Sequence, residues 1–292
     1  MRVLVSGSSG FIGKALSGYL SERGCEIVPL MRTSASFGTT VWRAAGSATL
    51  DDFDACVHLA GEPLAGKRWS PEKRQKILLS RTIGTASLAA SLAGLLRPPP
   101  VFLSASAVGF YGNRGEELLD EGSPSGKGFL PQVCEEWEKA CRYISDRGSR
   151  VISTRFGLVL GPGGGILKDL IPLYRIGLCG RLGPGSQWLS WIALFDLCAA
   201  IDFLLRTPSI HGPVNLVSPH AVRQKEFCVT LAKALHRPAL CHVPAWALRL
   251  FKGKMADELL LASARAVPKK LCASGFQFKY PELIEALKKS LH

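Results

Sequence analysis

The stretch "VSGSSGFIG", residues 5–13, constrains the fold of this chain more than any other. It sets Gly7, Gly10 and Gly13 three residues apart, directly after the β-branched run "RVLV". It also opens "FIGKALSGYLSERG", in which Phe11, Ile12, Ala15, Leu16, Tyr19 and Leu20 recur at helical spacing. Strand, glycine turn and amphipathic helix in that order predict a βα crossover built for a dinucleotide. A turn without Cβ atoms lets the backbone approach a pyrophosphate, the helix N-terminus offers unpaired N–H groups, and Gly13 lets the helix lie close on the sheet.

The alternation continues along the chain. "CEIVPLM", "TTVW", "DACVHLAG" and "VFLSAS" read as strands two to five, and "SRTIGTASLAASLAGLL" as a helix stopped by Arg97 and three prolines. "PQVCEEWEKACRYISDRG" reads as a helix closed by Gly148, and "RVISTRFGLVLG" as one further strand. This predicts an α/β fold, a Rossmann-type doubly wound parallel sheet, with a smaller C-terminal lobe. Past Gly161 come "GPGGG", a helix near 166–176 and the glycine-rich "GLCGRLGPGSQW". "GPGGG" lacks the Gly-Lys-Ser/Thr of a phosphate-binding P-loop and reads as a connection. Helices over "FDLCAAIDFLLRT" and "KEFCVTLAKALHRP" flank a strand at "PVNLVS". The expected division is a dinucleotide-binding domain over 1–160, completed by about 191–218, and a substrate lobe from 161–190 and 219–292.

Composition removes several function classes. With 292 residues, 47% of them hydrophobic, the chain can bury a large core. The charge-free stretch between Arg81 and Arg97 is broken by Thr, Ser and Gly and falls short of the ~20 apolar residues that span a bilayer. The apolar run at the start is too short for a secretion signal. Nine cysteines without a C-x-x-C pair read as reduced core thiols, and the expected location is cytoplasmic. The six histidines show no metal spacing, so no metal is expected. Thirty-six basic against 23 acidic residues give a net charge of +13, a balance that can mark nucleic-acid binding, draw in phosphorylated ligands or merely solvate a surface. No RNA-binding aromatic signature, zinc finger or basic heptad accompanies it, so the expected partner is a small molecule rather than nucleic acid.

Arg32 stands near the end of the second strand, where an NAD-binding fold commonly offers a carboxylate to the adenosine ribose. A guanidinium there can hold a 2′-phosphate through two parallel hydrogen bonds, and an aspartate would repel it. The cofactor expected from Arg32 is therefore NADP(H). A solvated arginine at a loop start is the alternative.

With "VSGSSGFIG", "VHLAGEP", "VFLSASAVGFYG" and "RFGLVLGPGGG" in this order, the chain resembles the short-chain dehydrogenase/reductase superfamily, in its extended or atypical NAD-dependent epimerase/dehydratase branch. "GEPLAGKRWSPEKRQKILLSRTIGT" and "GKMADELLLASARAVPKKLCASGFQFKYPEL" are similar to a sugar-nucleotide epimerase subgroup whose C-terminal segment is a domain of unknown function. The resemblance implies a pyrophosphate loop of Gly7, Ser9, Gly10, Phe11 and Ile12. It implies Leu59, Ala60 and Gly61 along the adenosine side, and Gly157 to Leu160 passing the nicotinamide. Arg81 becomes a cofactor-side contact, with a helix-surface role as the alternative.

The same resemblance implies a Ser or Thr after the fifth strand and a Tyr-x-x-x-Lys pair opening the next helix. Ser106 fits the first, but Leu130 and Cys134 occupy the tyrosine and lysine positions. Tyr111, in the loop after Ser106, is the candidate substitute, against a structural or substrate-lining role. Leu158, Leu160, Ala193 and Phe195 stand where epimerases carry polar groups, which disfavours selection of a polyhydroxylated ligand by hydrogen bonds. Trp188, Trp191, Phe110 and Tyr111 either surround an apolar pocket or pack the core. The leading expectation is an oxidoreductase or epimerase-like enzyme, with Ser106 on the substrate oxygen and water or Tyr111 handling the proton. The alternative is a non-catalytic NADP(H)-binding sensor or partner-binding protein, and a third reading is a nucleic-acid binder using the basic tail.

Overall fold

In the computed structural model, residues 1–32, 42–45, 52–64, 68–177, 180–239 and 241–291 are described, the side chain of Arg32 excepted. The run of Val and Leu after Arg2 forms β1 (Arg2–Ser6), buried from Val3 onward, and passes through the glycine turn into α1 (Phe11–Ser21). β2 (Glu26–Arg32) pairs in parallel with β1, and β3 (Trp42–Ala44) adds to it antiparallel. The rest of the expected third strand, Thr39 to Val41, lies outside the described residues. β4 (Ala55–His58) and β5 (Val101–Ala107) extend the sheet on the other side of β1.

The helix between them, α2 (Pro71–Ala93), begins at Pro71 rather than at Ser80. Ser70 Oγ accepts the Lys73 N–H at 3.2 Å and Pro71 takes the first helical position, two start signals hidden by the polar turn that follows. After β6 (Leu118–Leu119), the single helix expected over 131–148 is two, α3 (Phe129–Lys139) and α4 (Arg142–Ser145). They part where the Ala140 N–H is shared between the Glu136 and Trp137 carbonyls, 3.0 and 3.2 Å away, which tightens the last turn. The run expected as one strand over 150–161 also divides, at Gly157. β7 (Arg150–Phe156) stays in the sheet, and β8 (Leu158–Leu160) leaves it to pair with a later strand.

α5 (Gly165–Arg175), β9 (Gly180–Leu182), β10 (Trp188–Leu189), β11 (Trp191–Ala193), the partner of β8, and α6 (Leu194–Arg206) lead to β12 (Gly212–Leu216). β13 (Val222–Arg223), α7 (Gln224–Ala234), β14 (Cys241–Val243) and α8 (Ala245–Lys252) follow. β15 (Arg265–Ala266), α9 (Lys269–Ala273) and α10 (Leu283–Leu291) complete the described chain.

The large sheet has the order β12-β7-β5-β4-β1-β2-β3. From β1 the chain winds outward to β3, then crosses back to β4 and winds the other way. The crevice between the carboxyl ends of β1 and β4 is thus the topological switch point, where such sheets bind ligands. Alternate residues fill both faces: Val3 and Val5 pack with Leu16, Ile201 and Leu204, and Leu4 packs with Val28, Leu88 and Phe102. A second cluster around Trp191, Phe227, Leu231 and Leu287 joins β8 and β11 to the C-terminal helices. The buried Asp196 carboxylate ties the tail down by accepting the Lys279 and Tyr280 N–H groups at 2.8 and 2.9 Å.

Candidate functional site

Gly7 has φ +70°, and a Cβ there would lie 3.0 Å from the backbone of Leu59 and Ala60, so the turn closes directly onto the end of β4. A Cβ on Gly13 would lie 2.1 Å from the Gly7 carbonyl oxygen. The turn and helix therefore form a cradle that side chains would fill. Gly10 caps α1 without a side-chain hydrogen bond, and the first turn holds no acidic residue, which leaves the helix N-terminus open to an anion. The residues fit a dinucleotide pyrophosphate.

Beneath the cradle, Ser6 Oγ lies 2.6 Å from His58 Nδ1 and takes the Leu59 N–H at 3.2 Å, and His58 Nε2 lies 3.0 Å from Thr85 Oγ1. Burial lowers the pKa of His58 to about 4, from an ordinary 6.5. The unfolded chain therefore takes up a proton below pH 6.5 that the folded one refuses until about pH 4, and stability falls as pH drops through that window. Between pH 7.5 and 5.0 this group is expected to remove about 2 kcal/mol. Urea titrations at the two pH values will show it, and His58→Gln, with nothing to titrate there, should lose less.

One cavity of 740 Å³ opens beside the switch point. Gly7, Gly10, Phe11, Ile12 and Gly13 line it, together with Leu59, Gly61 and Arg81. Arg81 is 8% exposed, so the helix-surface alternative gives way to a cavity position. Its Nη1 donates to the Glu62 carbonyl at 2.9 Å, its guanidinium sits 5.0 Å from the Trp137 ring, and burial lowers its pKa. Three residues expected at the cofactor are not on the cavity wall. Ser9 is solvent-exposed on the turn, Ala60 packs against the core beneath the sheet, and Leu160 is buried at 1% in the second core cluster. Phe156, Gly157, Leu158 and Val159 line the cavity in its place, and Leu160, at the far end of β8, packs into that core. Arg32 closes β2, but its side chain lies outside the described residues.

Ser106, at the end of β5, lines the cavity. Its Oγ donates to Glu138 Oε1 at 2.8 Å, and Glu138 is held by Arg155 through Nε at 2.8 Å and Nη2 at 2.9 Å. Arg155 Nη1 then donates to the Tyr111 hydroxyl at 3.0 Å. That hydroxyl lies 2.7 Å from Asn215 Oδ1 and 3.0 Å from the Asp120 carbonyl. Tyr111, expected as a substitute proton donor, is thus fully buried behind Arg155 and absent from the cavity wall. Its hydroxyl is committed to a structural network, which corrects the catalytic expectation. Glu138, from α3, is what sequence reasoning missed as Ser106's partner.

Leu130 and Cys134, in the tyrosine and lysine positions, both face the cavity. Burial pushes the Cys134 thiol up to about 12, so it presents a neutral, weakly polar surface. Beyond them the chamber is walled by groups such as Leu170, Leu182, Leu189, Val243 and Leu260. Of Trp188, Trp191, Phe110 and Tyr111, only Trp188 lines it. Trp191 is buried with its indole N–H on the His220 carbonyl at 2.8 Å, and Phe110 packs under Arg155. Among the described residues no helix is long and apolar enough to cross a membrane.

A largely parallel sheet with a glycine cradle at its switch point, a serine at the end of β5 and an adjoining apolar chamber define a Rossmann-type dinucleotide-binding protein. Residues 3–216 match the NAD dependent epimerase/dehydratase family, and the chain belongs to it. Residues 243–290 match a domain of unknown function (DUF1731). The epimerase family protein Mb2239 of Mycobacterium bovis is 38% identical over 290 residues, 98% of this chain and 96% of that protein. The crystal structure of human epimerase family protein SDR39U1 (isoform 2) with NADPH superposes with a TM-score of 0.90 at 32% identity, covering 99% of each chain. A nucleoside-diphosphate sugar epimerase from Corynebacterium glutamicum superposes with a TM-score of 0.79 at 34% identity, covering all of this chain and 58% of that one.

Proposed function

We propose that this protein is an NADP(H)-dependent oxidoreductase that acts on an alcohol or carbonyl carbon of a largely apolar compound in the cytoplasm. One observation carries the reading: the glycine cradle and the apolar chamber are parts of a single cavity, with Ser106 on its wall. The NADPH in the human relative supports the choice of coenzyme. Bound NADP(H) supplies a hydride donor or acceptor at the nicotinamide. The turn from Gly7 to Gly13 would hold its pyrophosphate and Arg32 its 2′-phosphate. Because the Ser106 proton is directed at Glu138, the serine offers lone pairs to the chamber and is set to receive a substrate hydroxyl. The substrate proton would pass to Ser106 Oγ as the serine's own proton passes to Glu138, and the reverse path would serve reduction. Leu130 and Cys134 can take no part in this transfer, so Ser106 and Glu138 stand in for the tyrosine and lysine of related enzymes.

The test is consumption of NADPH with a panel of aromatic and aliphatic ketones and aldehydes. Turnover is expected with at least one, and Ser106→Ala should slow it by about 10²-fold or more. Arg32→Ala should weaken NADPH by at least about tenfold and leave NADH nearly unchanged. NADPH that binds with no turnover across the panel overturns the catalytic reading, and equal losses for both coenzymes overturn the role of Arg32.

A further inference from the structure

Glu258 is the only carboxylate on the cavity wall among the described residues. It comes from the π-helical turn Ala256–Leu260, inside the segment that matches the domain of unknown function. Its Oε2 accepts the Leu130 N–H at 2.7 Å, at the start of α3, where Gly128 has no capping side chain and the first turn no acid. That contact explains one oxygen as a helix cap. Among the described residues the other oxygen has no protein hydrogen bond, and no Lys, Arg or His nitrogen lies within 4 Å of the carboxylate. Arg81, the one Lys, Arg or His on the cavity wall among the described residues, donates its Nη1 to the Glu62 and Ile77 carbonyls.

The carboxylate therefore shares a chamber wall with Leu130, Leu182, Leu189, Leu259 and Leu260, and among the described residues no cation pairs with it. An apolar ligand that fills the chamber would displace water from this wall, and the charge would then gain most from a cation delivered by that ligand. Resting on the reading of this chamber as the substrate side of an NADP(H) oxidoreductase, we infer that Glu258 selects a substrate with an apolar body and a protonated amine. The C-terminal segment then supplies the specificity, and the sheet supplies the coenzyme site and Ser106.

Three probes of one skeleton decide the matter: 2-naphthylmethylammonium, 2-naphthylmethanol and 2-naphthoate, each titrated calorimetrically into NADPH-saturated protein. The wild-type chain should bind the ammonium at least about tenfold more tightly than the carboxylate, with the alcohol between. Glu258→Gln keeps an oxygen for the Leu130 N–H and removes only the charge, so its melting temperature should stay near wild type. In that variant the ammonium and the alcohol should bind within about twofold of each other. A wild-type preference for the carboxylate, equal affinities, no binding of any probe, or a ratio unchanged in Glu258→Gln each overturns the inference. NADPH affinity is measured first. Its loss would refute the coenzyme reading by itself, and the probe ratios in the coenzyme-free protein would still decide the role of Glu258.

Discussion

Gly13→Ala is expected to abolish coenzyme binding and to lower the unfolding free energy by about 2–4 kcal/mol. The added methyl would meet the Gly7 carbonyl oxygen at 2.1 Å, the Ser8 Cα at 2.7 Å and the Gly7 carbonyl carbon at 2.8 Å. All three are backbone atoms and cannot rotate aside. Relief requires α1 to lift from β1, which disturbs the packing of Leu16 and Leu20 and opens the cradle at the same time. Gly18 supplies the control from the same helix, because a Cβ there meets nothing within 4 Å. Gly18→Ala should be neutral or stabilising by up to about 1 kcal/mol, through the better helix propensity of alanine. Urea denaturation and NADPH titration of the two variants will separate them. Coenzyme affinity preserved in Gly13→Ala would sink the cradle assignment.

The same contrast shows what could be read from sequence. Gly7 and Gly13 announce themselves because the hydrophobic period changes from strand to helix across them, and backbone packed that closely on backbone has no room for a Cβ. The glycines of "GPGGG" carry no such signal. Their role is visible only in three dimensions, where a Cβ on Gly164 would lie 2.1 Å from the Phe11 ring. That loop packs against Phe11 at the start of α1. The buried strands of the large sheet were legible, whereas β11, equally buried, was not. The start of α2 was not, because its first turn is solvated and its signal lies in Ser70 and Pro71 rather than in apolar spacing.

The site was legible in its coenzyme half and obscure in its chemical half. The absence of the tyrosine and lysine was plain from Leu130 and Cys134, but absence does not point to a replacement. Tyr111 drew attention by residue type and by its place in the loop after Ser106, and its hydrogen bond to Asn215, more than a hundred residues away in the chain, leaves no local trace. Glu258 follows Asp257 in the tail, and nothing in the sequence sets one of the two acids apart. Its contact with Leu130 joins residues 128 apart, which no local pattern records.

Arg155→Leu is the second substitution with a large expected effect, a loss of about 3–5 kcal/mol. The Arg155 side chain is 4% exposed and that of Glu138 16%, so removing the guanidinium leaves a carboxylate with little water to answer it. Tyr111 would lose the donor at 3.0 Å that links it to Glu138. Because the penalty lies in the orphaned charge, Glu138→Gln in the same chain should restore much of the loss, and the double variant should be more stable than Arg155→Leu alone. Glu138→Gln by itself keeps an oxygen for the Ser106 hydroxyl but leaves the buried Arg155 guanidinium without its counter-charge, so it should also lose stability, and its turnover is compared per folded molecule. It removes the charged acceptor, so it should slow turnover by about the same factor as Ser106→Ala, with the two losses failing to add in the double variant. Additive losses would mean that Ser106 and Glu138 act separately and that the proton leaves the chamber by another route.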